Sequence, residues 1–123
     1  MNLDIYKYSN KVLTNDDVFE IKNALSNKYV MWSEYGDSPE YYSYIHDISY
    51  EHKYNAIIVT MDLIYMFTLN DDYNIYKDYK KTIYMNDIYS SLTKQGLTIN
   101  IIDKDTYIEA FNKINNNIKN EYI

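Results

Sequence analysis

His46 and His52 stand beside Asp47 and Glu51, and imidazole next to carboxylate is the pairing from which metal sites and acid–base centres are built. The spacing does not favour a metal. The two imidazoles do not share a helical face, and no His-Glu-x-x-His run brings a pair of them together. Both are expected to be solvated side chains, and no metal ligand is assigned. Adjacent carboxylates occur at Asp16/Asp17 and Asp71/Asp72. Side chains of neighbouring residues diverge on a helix or strand, so neither pair is a catalytic dyad. The first reads as charge at a helix start and the second as a turn. There is no Gly-x-Ser-x-Gly, no Walker loop and no Gly-x-Gly-x-x-Gly, and the only glycines, Gly36 and Gly96, cannot build a phosphate cradle. Cysteine is absent, which excludes disulfides, zinc thiolates and thiol nucleophiles, and fits a reducing compartment. No catalytic residue and no cofactor follow from the sequence. A small hydrolase-type enzyme with carboxylates converging from distant positions remains an alternative, and it predicts a deep pocket at His46 or at those acids.

Charge distribution is more informative than motif. Residues 29–52 hold five acids, Glu34, Asp37, Glu40, Asp47 and Glu51, and no lysine. Elsewhere 13 acids nearly balance the 12 lysines. The same segment carries Trp32 and six tyrosines: Tyr29, Tyr35, Tyr41, Tyr42, Tyr44 and Tyr50. Carboxylates and flat rings without a compensating base are what a surface needs to dock on a basic groove made for phosphates and bases. Trp32, Glu34, Tyr35, Asp37, Glu40, Tyr41, Tyr42, Tyr44, Asp47 and Glu51 are therefore the candidate partner-binding residues.

The whole chain points the same way. Its net charge is −6 and every one of its 12 basic residues is lysine. Arginine, whose planar fork reads phosphate and guanine, is missing, so direct binding of nucleic acid or of an anionic membrane is not expected. The longest apolar run, Ala56 to Leu69, contains Asp62 and is too short to cross a bilayer, and the first residues show no secretory leader. A cytoplasmic location is expected, that of the host if the gene is carried by a phage. Seventeen tyrosines stand beside only three phenylalanines. AT-rich codons favour both residues equally, so the excess is one of hydroxyl-bearing rings, which are common at interfaces and on half-buried sheets.

These residues must be positioned by one small domain spanning residues 1–123. Residues 3–8 alternate as a short strand would. Thr14 caps a helix with Asp16 and Asp17 in its first turn and Val18, Ile21 and Leu25 on one face. Residues 29–35 read as a strand stopped at Gly36-Asp37. Ser38-Pro39-Glu40 is a helix start, and Tyr41, Ile45 and Ile48 would share a face of a short helix; the same stretch is rich in Tyr and also fits a strand, the second reading of residues 39–52. Residues 57–69 form a long central strand, or two in a tight pair, then comes a turn at Asn70-Asp71-Asp72 and a more exposed antiparallel strand over 73–84. Asn86 caps a helix running to Gln95, which Gly96 stops in a left-handed conformation. Leu97 to Ile102 is a strand. Asp103 caps a last helix with the stripe Tyr107, Phe111, Ile114 and Ile118. The parts assemble as an α+β fold: a mainly antiparallel sheet with three to four helices on one face.

The resulting expectation is an inhibitor that occupies a basic surface on a nucleic-acid-handling protein, such as a nuclease or CRISPR effector, as a phage or mobile-element counter-defence protein would. An immunity protein or antitoxin that neutralises a cognate toxin predicts much the same surface.

Overall fold

A computed structural model describes residues 3–33, 41–66, 73–88 and 96–121. The first helix, α1 (Asn15–Leu25), starts where the sequence requires it. The Thr14 hydroxyl accepts the Asp17 amide and the Asp17 carboxylate accepts the Thr14 amide, closing a capping box. Lys11 adds an ion pair to Asp17 at 2.8 Å. Ile21 and Leu25 are buried and Val18 partly so. Ahead of α1, residues Ile5–Tyr8 form a 3-10 turn and not the expected strand. Asp4 accounts for this, because its carboxylate accepts the Tyr6 amide and offers the backbone a turn in place of a ladder.

Five strands follow: β1 (Tyr29–Ser33), β2 (Tyr41–Glu51), β3 (Ala56–Met66), β4 (Tyr73–Tyr84) and β5 (Thr98–Ile102). They form one sheet in the order β4-β3-β2-β1-β5, antiparallel throughout. β3 is the long strand anticipated from its apolar alternation, interior to the sheet while β2 takes the centre, and β4 is the exposed one beside it. α2 (Lys104–Glu121) closes the chain, with the Asp103 carboxylate accepting the Thr106 amide at 2.7 Å.

The expected short helix after Pro39 is the strand β2. Its residues pair with β1 on one side and β3 on the other. Two ladders of backbone hydrogen bonds and a run of Tyr, Ile and Ser outweigh a local start signal. Tyr41, Ile45 and Ile48 do share a face, through a β-bulge. Ile45 pairs with Met61 and Asp47 with Thr60, which leaves His46 as an extra residue. The bulge turns a period of two into the spacing four-then-three that a helix would show.

The expected helix over 86–95 is not present in its first turn, since residues 86–88 are turn and bend; residues 89–95 lie outside the described residues. Gly96 is not left-handed. A Cβ there would run into the Ile88 carbonyl oxygen and the Tyr6 ring, so glycine serves close approach. The described residues contain two α-helices against the three to four expected, and the two lie on opposite faces of the sheet. The register places Val30, Ser43 and Leu63 on one face, together with Trp32, Ile99, Ile45 and Met61. Leu25 of α1 packs here, beside Val30, Trp32 and Ile45. Tyr29, Tyr44 and Asp62 lie on the other face, and Tyr107 of α2 meets Tyr29 there with ring centroids 4.9 Å apart. Both faces of the sheet carry apolar and tyrosine side chains, and each takes one helix. The turn expected at 70–72 and Ile118's side chain lie outside what is described.

Candidate functional site

The acidic, aromatic segment is divided between the two faces. Trp32 is a core residue. Its ring is 5 % exposed, its indole N–H donates to the Ser43 hydroxyl at 2.8 Å, and it stacks on Tyr41 at 4.2 Å. That corrects its assignment as a docking residue, because the only polar atom of the indole is already satisfied inside the molecule. Tyr41 shares this α1 face. Tyr42 and Tyr44 project to the opposite face, half-buried. Tyr42 lines an open cleft of about 270 Å³ against Thr106, Ala110 and Ile114 of α2. Glu34, Tyr35, Asp37 and Glu40 fall outside the described residues.

Asp47 and Glu51 share one face of the sheet. Both are exposed, and with Ser49 they alternate along β2 on the face that carries α2, past the end of the sheet that the helix covers. Their neighbours across the register are Thr60 and Lys80 beside Asp47, and Ile58 and Thr82 beside Ser49. Among the described residues no lysine or histidine forms an ion pair with Asp47 or Glu51; the pairs present are Lys7–Glu20, Lys11–Asp17 and His46–Asp62. This half of the sheet face carries exposed carboxylates that form no ion pair among the described residues.

A second constellation was not assembled by the sequence reading. At the border between the covered and open halves, His46 Nε2 lies 2.9 Å from Asp62 Oδ1. The Tyr44 ring meets His46 edge-on at 5.0 Å and packs on Tyr29 at 4.8 Å, while Tyr107 of α2 closes the cluster. Burial, with the Asp62 and Tyr29 charges behind it, pushes the Tyr107 hydroxyl up to about 12. The signal in the sequence is Asp62 itself, a lone acid in an apolar interior strand. Both flanking strands bulge at its level: β2 at His46, and β4 between Tyr76 and Tyr79, where Asp78 takes a φ of 56°. The bulges aim the imidazole at the carboxylate across the sheet. The Tyr107–Tyr29 contact joins the N-terminal end of α2 to this face, near the His46–Asp62 pair. Among the described residues no three His, Asp or Glu side chains gather in a group that could hold a metal ion.

No helix among the described residues is long and apolar enough to cross a membrane. No protein-family model, no curated protein and no solved structure matches the chain.

Proposed function

We propose that this chain is a non-catalytic acidic binding protein that inhibits a basic, nucleic-acid-handling protein by occupying its charged groove, in the manner of a phage or mobile-element counter-defence (anti-CRISPR-like) inhibitor. One observation carries the reading: Asp47 and Glu51 are held, exposed and unpaired among the described residues, on the open half of a sheet face. A strand rises roughly 3.3 Å per residue, so the two carboxylates lie on the order of 13 Å apart along β2. Grooves that bind nucleic acid present cations along such lengths to neutralise phosphates. Carboxylates fixed on a sheet meet those cations with little ordering cost. Ser49, Thr60 and Thr82 supply hydroxyls between them, and the −6 net charge of a chain without arginine favours approach to a basic surface.

Immobilised protein exposed to a cell lysate, with and without excess oligonucleotide, tests this. The proteins retained by the native chain are compared with those retained by the double variant Asp47→Lys/Glu51→Lys. Proteins that oligonucleotide displaces and the variant fails to hold support the reading. Proteins held equally by both, and untouched by oligonucleotide, overturn it.

A further inference from the structure

The edge of the sheet at β4 has chemistry opposite to that of the open face. β4 is the outermost strand, and among the described residues nothing pairs with its outer side. Within the run Tyr79–Tyr84 alternate residues therefore turn N–H and C=O groups away from β3, a ready template for another extended chain. Below that run the bulge at Asp78 interrupts the ladder, so Tyr79–Tyr84 is the regular stretch. It is also basic. β4 carries Lys77, Lys80 and Lys81 against the single acid Asp78, in a chain whose net charge is −6. Lys77 and Lys80 are exposed and form no ion pair among the described residues. Three tyrosines flank them, Tyr76 at 45 %, Tyr79 at 37 % and Tyr84 at 48 % exposure.

Lysines on an edge strand are the usual guard against pairing with a second copy, because like charges meet across the new ladder. The same charges do not guard against an acidic strand. They favour it, since discrimination between partners rests on which pairing brings like charges together. We propose that the β4 edge is a docking site for an extended, carboxylate-bearing peptide segment, which adds as a sixth strand along Tyr79–Tyr84 and sets its acids against Lys80 within that run and Lys77 just past its end. The exposed tyrosines give apolar contact for the residues between those acids. Lys80 borders the open face two strands from Asp47, but this site runs along the outer edge of β4 and recognises the opposite charge.

The test uses a fluorescent peptide of about eight residues, enough to span the regular run, with Glu and Val alternating, and a second peptide with Lys in place of Glu. The Glu peptide binds and the Lys peptide does not. Lys77→Glu/Lys80→Glu weakens the Glu peptide roughly tenfold or more, two exposed pairs being reversed, while the control Lys22→Glu/Lys28→Glu changes it little. Hydrogen exchange separates strand addition from loose charge attraction: about half of the amides in Tyr79–Tyr84 become protected when the Glu peptide is bound. Equal affinity for the two peptides, equal loss in both double variants, or binding without that protection overturns the proposal.

Discussion

Nε2 of His46 lies 2.9 Å from Oδ1 of Asp62, a bridge from β2 to β3 that exists because β2 carries one extra residue at that point. A regular strand would direct successive side chains to opposite faces. The bulge instead puts His46 and Asp47 on the same side, the first turned to Asp62 and the second left in solvent. One irregularity thus marks where the tyrosine-packed part of the face ends and the open acidic part begins.

The Asp62 carboxylate also acts on Tyr107. Burial is the larger cause of the raised Tyr107 value and Asp62 the next, so Asp62→Asn lowers the Tyr107 titration while leaving it above 10.0. The tyrosinate signal in NMR or ultraviolet titration reads this directly. Stability follows with a defined sign. Tyr107 and Tyr8 both titrate near 12 when folded and at 10.0 in the free side chain. Their contribution is therefore complete below pH 10 and lost as pH rises from there towards 12. Urea midpoints measured across that window fall for the native protein, and fall less steeply for Tyr107→Phe and Tyr8→Phe.

At the acid end the group to watch is Asp17. The Lys11 ammonium, then the Thr14 amide, hold its carboxyl below the ordinary 3.8. A depressed carboxyl stabilises the fold above its unfolded value, and that contribution disappears as pH drops below about 4. Asp17→Asn removes this pH dependence. Thr14→Ala removes the other half of the capping box and costs about 1 kcal/mol at neutral pH, measured by urea unfolding.

α1, β3, β4, β5 and α2 were legible because each is announced by residues close in sequence. Thr14 with Asp17 begins α1, alternation defines β3, and Asp103 begins α2. β2 reads as helix or strand for a physical reason: the bulge at His46 gives Tyr41, Ile45 and Ile48 a helical spacing on a strand. Gly96 was misread because close approach to Ile88 and Tyr6 is a tertiary fact that leaves no local mark. In the candidate site, charge was legible and facing was not. Asp47 and Glu51 are exposed, while Trp32 went to the core because Ser43 on the next strand offered its indole a partner.

Trp32 supplies a prediction that separates packing from docking. Trp32→Ala costs roughly 3–5 kcal/mol through the cavity it leaves. Trp32→Phe keeps most of the volume but leaves the Ser43 hydroxyl, 0 % exposed, without its donor, at a cost of about 1–3 kcal/mol. Adding Ser43→Ala to Trp32→Phe returns part of that loss, which chemical denaturation detects as a positive coupling. Additive losses from the two substitutions would mean that the bond contributes nothing to stability.

The docking surface makes the last prediction. Asp47 and Glu51 act on a basic partner through long-range attraction as well as contact, so association slows as salt rises and the Debye length falls to about 8 Å near physiological ionic strength. Reversing both in Asp47→Lys/Glu51→Lys weakens binding by tenfold or more, about 1.4 kcal/mol per factor of ten, and flattens the salt dependence. Asp16→Lys/Asp105→Lys reverses the same amount of charge on exposed residues near helix starts, away from β2. That control shifts the association rate slightly, because it changes net charge equally, but leaves the dissociation rate alone. Both reversals near helix starts oppose the helix dipole and cost a few tenths to 1 kcal/mol of stability, so each variant is compared only where circular dichroism shows it folded. Surface plasmon resonance resolves the two rates. A faster dissociation confined to the Asp47/Glu51 variant locates the contact on the open sheet face. Equal loss in both variants would reduce the role of these carboxylates to net charge and move the contact elsewhere on the molecule.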